Sequence, residues 1–369
     1  MSSSRRQLIL GTGAGLASAS LVKPATAATK GKTYKWTMVT SWADGLPGLG
    51  RGPVYIKENI ERMSEGRLII DVKPAGSLVG ALEVFDAVVS GKAQCGHSAS
   101  YYWNKKHPAT QFFTTVPFGL NSMETMGWLK FGGGQQLWDE LYAGFGLKAF
   151  PAGNTSVQMG GWFNRRIDNV EDLRGLKMRI PGLGGEVLTQ LGVQTVNIAG
   201  NKIYDALKSK EIEAAEWVSP YNDLEAKFYE VAQYYYYPGW HEPATTLEFM
   251  IKKELFDELP KDLQAIVEQV AYATYTDMLA NYSANNTMAL ATLVQKHNVK
   301  MEKFSAQILG SLGKISRDIL SAIGQQDKLS QRIYTSYYEF RKQAVWWSKI
   351  SDEAYASARG ALFTESFSH

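Results

Sequence analysis

From Tyr34 onward, short apolar runs alternate with stretches whose apolar positions recur every three or four residues, and beyond Pro260 the second pattern dominates. Residues 34–40 read as a strand, residues 52–63 as a helix with Ile56, Ile60 and Met63 on one face, and residues 67–72 as a second strand. Strands joined by a helical crossover lie parallel, so a mostly parallel sheet is expected. A short helix at 82–90, stopped by Gly91, precedes a strand of small residues at 93–98 that runs into Tyr101, Tyr102 and Trp103. This alternation predicts an α/β lobe with both faces of its sheet covered.

A second lobe is expected to begin at Ala149, within a predicted strand at 147–150. Further strands are expected at 158–164, 176–180 and 214–218, a short capped turn at 169–173, and helices at 185–191 and 203–209. The predicted fold class is α/β, with two lobes, a ligand cleft between them and a helical C-terminal region. The first lobe is assigned to residues 28–148, the second to 149–250, and residues 251–369 to helices packing across both. An internal echo supports the pairing of lobes: Val84-Phe85-Asp86-Ala87 recurs as Ile203-Tyr204-Asp205-Ala206, each followed by a small-residue strand. The overlay sets His97 opposite Glu216 and Ser98 opposite Trp217. Both strands would then end at the crevice where open α/β sheets bind ligands, whereas chance likeness of two amphipathic helices is the plainer explanation. Near the C-terminus, Ile333, Tyr337, Phe340, Ala344 and Trp347 follow a 4-3-4-3 spacing, which makes one helix stripe apolar. Packing onto the core or between lobes is the favoured use of this stripe. A homodimer contact through the C-terminal helix is the alternative.

The chain has 369 residues, 45% hydrophobic and 20% charged, with a net charge of +3. Arg5, Arg6 and Lys23 carry that excess, so the remainder balances to zero and offers no footprint for nucleic acid or a polybasic membrane surface. Arg5 and Arg6 precede an apolar, glycine- and alanine-rich stretch to about Val22 and then Ala25-Thr26-Ala27, the layout of an export signal with a small-residue cleavage site. The adjacent arginines favour the twin-arginine route, so residues 1–27 are set aside and a periplasmic mature protein is expected. No later run reaches the ~18 apolar residues of a membrane span. Cys95 is the sole cysteine, which excludes an intrachain disulfide, and burial as a small hydrophobe is expected of it.

The segment Asp172-Leu173-Arg174-Gly175-Leu176-Lys177-Met178-Arg179-Ile180-Pro181-Gly182 resembles the signature of the DctP-type substrate-binding proteins of tripartite ATP-independent periplasmic (TRAP) transporters. The blocks Ala214-Ala215-Glu216-Trp217-Val218-Ser219-Pro220-Tyr221-Asn222-Asp223-Leu224 and Tyr234-Tyr235-Tyr236-Tyr237-Pro238-Gly239-Trp240-His241-Glu242-Pro243 are similar to the branch that binds 2-oxo acids and lactate. The resemblance covers essentially the whole mature chain. It implies a two-lobe periplasmic-binding-protein fold, a small carboxylate ligand, and a TRAP-type membrane permease as partner.

Arg179, at the end of a predicted strand and before Pro181, offers a planar pair of N–H donors matched to a carboxylate. The resemblance makes it the partner of the ligand carboxylate rather than of a structural salt bridge. Its loss is expected to abolish binding and to leave the unliganded protein's stability nearly unchanged. Glu216 and Glu242 stand in apolar settings where a carboxylate needs a cation. The resemblance implies a metal ion held by Glu216, Glu242, the Trp217 carbonyl and the Gln158 side chain. All-oxygen ligation suits sodium or calcium, and charge counting permits either. Arg179, Gln158, Trp217, Tyr101 and Asn154 are the expected ligand contacts, with Tyr102 and Trp103 as further candidate walls.

The five histidines show no metalloprotease spacing, there is no Gly-x-Ser-x-Gly elbow, and Cys95 lacks an evident base, so the chain is not expected to be an enzyme. His241 is expected at the periphery of the site or on the surface. The competing functions are the same fold binding an aromatic, sugar-acid or dicarboxylate ligand, and an exported cofactor-containing oxidoreductase.

Overall fold

The computed structural model describes residues 32–362, so the expected export signal lies outside the described residues. Eleven strands form two sheets among those residues. The first runs in the order Leu68–Lys73, Tyr34–Thr40, Cys95–Ser98, Thr246–Lys252, Leu147–Asn154. The second runs Lys300–Lys303, Tyr234–Tyr237, Gly161–Phe163, Ala214–Ala215, Lys177–Arg179, Gln194–Val196. Helix Arg51–Met63 makes the first crossover and buries Ile56 and Ile60, while Met63, in its last turn, is half exposed.

Both sheets are mixed, which departs from the expected mostly parallel arrangement. The first three strands of the first sheet are parallel, but Thr246–Lys252 runs antiparallel to both its neighbours. In the second sheet Gly161–Phe163 is antiparallel to both of its own. Crossing between sheets is the cause. Leu147–Asn154 leaves the first sheet and Gly161–Phe163 enters the second; Tyr234–Tyr237 leaves the second and Thr246–Lys252 returns to the first. The boundary expected at Ala149 therefore falls inside a strand of the first sheet, and the strand Thr246–Lys252, whose residues 246–250 were assigned to the second lobe, belongs to the first sheet as well.

The echo in the sequence corresponds to equivalent places in the two sheets. Helix Val84–Val89 precedes the interior strand Cys95–Ser98, and helix Ile203–Lys208 precedes the interior strand Ala214–Ala215. Buried Cys95 has its thiol pushed well up by loss of solvent, in keeping with a packing role.

A 37-residue helix, Lys261–His297, spans both halves over about 55 Å. Leu263, Val267, Val270 and Ala271 complete the core under the first sheet, whereas Met278, Tyr282 and Leu293 pack with residues of the second. Tyr282 donates its hydroxyl to Asn222 Oδ1 at 2.5 Å, and Asn222 Nδ2 donates to Pro47 O at 2.8 Å. The helix Lys328–Ser348 lays Ile333 and Tyr337, with Phe340 and Ala344 beside them, onto the aromatic core around Phe112, Trp128 and Trp138. The last residue of the stripe, Trp347, is 60% exposed. No helix among the described residues is long and apolar enough to cross a membrane.

Glu248 lies fully buried in the strand Thr246–Lys252 and accepts from Trp103 Nε1 and Tyr142 Oη, each at 2.7 Å. Burial lifts its carboxyl to about 7, even though both donors favour the charged form. The fold then holds this proton to higher pH than the unfolded chain does. Its contribution is full below the unfolded carboxyl range and is lost as pH climbs through about 7. Glu248→Gln is expected to flatten the decline in unfolding free energy between pH 5 and 7, a decline worth at most about 1.4 kcal/mol per pH unit for one proton. Urea titrations of both proteins across that range would measure it.

Candidate functional site

Arg179 and Glu216 meet because their strands are parallel neighbours. Arg179 pairs with Ala215, and the Glu216 N–H donates to Arg179 O at 2.9 Å, so both side chains emerge at the carboxyl end of the second sheet. Pro181 and Gly182 then end the strand and start helix Gly182–Gln190; Gly182 adopts φ +57. The Arg179 side chain is 1% exposed. Its Nε donates to Ile198 O at 3.2 Å and its Nη1 to Glu216 O at 2.6 Å and Glu216 Oε2 at 3.2 Å. The Trp217 ring lies 5.2 Å from the guanidinium carbon, which stacks the charge on a π face. Arg179 thus makes a buried structural salt bridge with Glu216.

The crossings between sheets supply the other half of the site. Gln158 N–H donates to Glu242 O at 3.1 Å and Met159 N–H to Val218 O at 3.0 Å, which laces residues 158–159 between the segments carrying Glu242 and Trp217. A Cβ on Gly239 would come within 2.1 Å of Gln158 O, so only glycine allows this approach. Gln158 Nε2 donates to Thr155 Oγ1 at 3.0 Å and Thr245 Oγ1 at 2.8 Å. Gln158 Oε1 and Glu216 Oε1 are buried without a hydrogen-bond partner.

His241 belongs to this cluster rather than to the periphery. It is 1% exposed, its Nε2 lies 3.6 Å from Glu216 Oε1, and ligand atoms of Glu216, His241 and Glu242 all fall within 4.8 Å of one another. Loss of solvent pushes its imidazole down to about 4, so the ring is neutral at pH 7. Burial lifts the Glu216 carboxyl to about 8, with Arg179 opposing, and lifts that of Glu242 to about 8, with the Glu216 charge adding. One guanidinium thus faces two desolvated carboxyls.

From the first lobe, Tyr101 reaches this centre. Its Cβ and Cγ would both lie 3.3 Å from a Cβ on Gly182, and its hydroxyl is pushed well up by burial and by the charges of Glu242 and Glu216. Tyr102 meets it edge-on at 4.7 Å. Trp103 instead enters the first-lobe core through its bond to Glu248. His97, the echo partner of Glu216, is also satisfied within the first lobe: it accepts from Trp42 Nε1 at 2.7 Å and contacts Ala152 O at 2.8 Å.

The expectation for Asn154 needs correction. Its Oδ1 accepts from Ser122 Oγ and the Ser156 N–H, both at 2.8 Å, and its Nδ2 donates to Thr246 Oγ1 and Tyr275 Oη. Its hydrogen-bonding capacity is spent inside the protein. Gln111, not foreseen, is fully buried with Oε1 unpartnered, and its Nε2 donates to Glu186 at 3.0 Å. It sits in a 3-10 turn without the periodicity that marks a site. For His241, the signal was its place beside Glu242 in an aromatic run.

The model of the bacterial extracellular solute-binding proteins, family 7 (DctP), matches residues 40–326. The chain belongs to this family. The monocarboxylate 2-oxoacid-binding periplasmic protein of a Nostoc species is 41% identical to this solute-binding protein over 321 residues, covering 87% of this chain and 88% of that one. A TRAP periplasmic solute-binding protein from Pseudoalteromonas atlantica, solved with bound sodium and pyruvate, is 41% identical with a TM-score of 0.86, covering 88% of this chain and 99% of its own. Its counterpart from Colwellia psychrerythraea, solved with bound calcium and pyruvate, is 40% identical with the same TM-score of 0.86, covering 89% and 100%. Both likenesses bear out the two-lobe α/β fold.

Two unpartnered buried oxygens and two carboxyls facing one guanidinium fit a hard cation. Gly239→Ala is expected to push the two crossings apart and to destabilise the protein by about 1–3 kcal/mol, the usual range for overpacking. Thermal melts would register this as a lowered Tm.

Proposed function

We propose that this solute-binding protein captures a small 2-oxo or 2-hydroxy monocarboxylate, of the size of pyruvate or lactate, together with a sodium or calcium ion. The observation that carries the reading is the unpaired buried oxygens of Glu216 and Gln158 beside a guanidinium already stacked on Trp217. Glu216, Glu242, Gln158 and the Trp217 carbonyl would hold the cation. The ion would bind the ligand through its carboxylate and its 2-oxygen together, selecting α-substituted acids over plain ones. With Nε and Nη1 engaged by Ile198 and Glu216, Arg179 offers its Nη2 hydrogens and its charge to the carboxylate, and Tyr101 covers the ligand from the first lobe.

The protein acts by binding and release, without catalysis. A ligand held by both lobes favours the closed form, and a TRAP-type permease that recognises this form takes the acid onward. Export by the twin-arginine route rests on Arg5 and Arg6 ahead of the apolar stretch.

Titration calorimetry with pyruvate, lactate and acetate, before and after chelator, tests the reading. Pyruvate or lactate should bind at least tenfold more tightly than acetate, and only with cation present. Equal affinity for all the acids would sink it. Arg179→Lys is expected to weaken binding on the order of 100-fold, since a single ammonium cannot hold Ile198 and Glu216 and reach the ligand as the guanidinium fork does. It should also lower the apo Tm, because the guanidinium holds Ile198 and Glu216 in place; this revises the unchanged stability expected from the sequence. For export, replacing Arg5 and Arg6 together by lysine should trap the precursor in the cytoplasm, as read by cell fractionation and immunoblotting.

A further inference from the structure

We infer that Thr245 is a positioning residue whose single hydroxyl aims two of the expected cation ligands, Glu242 and Gln158; this rests on the cation reading proposed above. With Glu242 ionised, the form that ligates a cation, Thr245 Oγ1 donates to Glu242 Oε2 and that bond uses its only proton. Toward Gln158, 2.8 Å away, the hydroxyl therefore acts as an acceptor, so the amide must turn its nitrogen to it. Thr155 enforces the same choice. Its hydroxyl donates to Ser156 O at 3.2 Å and accepts from Gln158 Nε2 at 3.0 Å. With both amide hydrogens so engaged, Gln158 Oε1 faces away from the two threonines, where it is buried and unpartnered.

The orientation of a glutamine amide otherwise costs little to reverse. A reversed Gln158 would present an NH2 group to the site and repel a cation. Thr245 sits three residues after Glu242 and Thr155 three residues before Gln158, and Thr155 N–H donates to Thr245 O at 3.1 Å. The two crossings between sheets are thereby tied at the point where they set ligand polarity. Groups that orient metal ligands from behind in this manner are typically worth 10–100-fold in affinity.

Thr245→Val keeps the shape and removes the hydroxyl; Thr245→Ser keeps the hydroxyl. With the full mature protein, calcium affinity is measured by calorimetry without any organic acid, and folding is checked by circular dichroism. The valine variant is expected to bind calcium on the order of 10-fold or more weakly, and the serine variant to stay within about threefold of the unsubstituted protein. Calcium binding by the valine variant as tight as that of the unsubstituted protein would overturn the inference alone. Equal weakening in both variants would overturn it too, by assigning the effect to the lost methyl. Should the valine variant fail to fold, Thr155→Val tests the same amide from its other side: weakened calcium binding supports the inference and unchanged binding overturns it. Failure of the unsubstituted protein to take up either calcium or sodium would overturn the cation reading and the inference together.

Discussion

Two carboxyls share a desolvated pocket with a single guanidinium, and the architecture of the site answers that imbalance. Taking Glu216 and Glu242 out of water raises both carboxyls far above their usual range, and Arg179 can offset only part of the cost. A buried charge deficit of this kind needs protons or a cation. Proton uptake would leave oxygens that cannot ligate; cation uptake turns the same oxygens into a binding surface for an anion. The Arg179 guanidinium stacks on Trp217 and is held by the carbonyls of Ile198 and Glu216, so its charge is fixed in place before any ligand arrives.

Charge and chain path are linked. Arg179 and Glu216 stand at adjacent strand ends in one sheet, whereas Gln158 and Glu242 ride on the two segments that pass between sheets. The candidate ligands thus come from one sheet and from the connections between the two. Backbone bonds from Gln158 to Glu242 and from Met159 to Val218 keep the crossings in register with the segment that follows strand Ala214–Ala215 and bears Trp217.

Much of the candidate site was legible because its members lie in short local motifs. Arg179 before a proline, Glu216 after two alanines, and Glu242 in an aromatic run each carry the signal in a few neighbouring residues. What escaped depends on long-range partners. Asn154 has the right chemistry for a ligand contact, but Ser122 and Tyr275 consume its capacity from far along the chain. His241 looked peripheral because nothing local reveals that Glu216 stands 3.6 Å away. The lobe boundary was misplaced for a related reason: the apolar run at 147–154 shows that a strand exists but not which sheet it joins.

The helix Lys261–His297 works as a beam clamped at both ends. Its first turns are gripped beneath one sheet, and Tyr282, through Asn222 and Pro47, ties its middle to both halves. Any shift of one half against the other would therefore load a continuous helix rather than a loose linker.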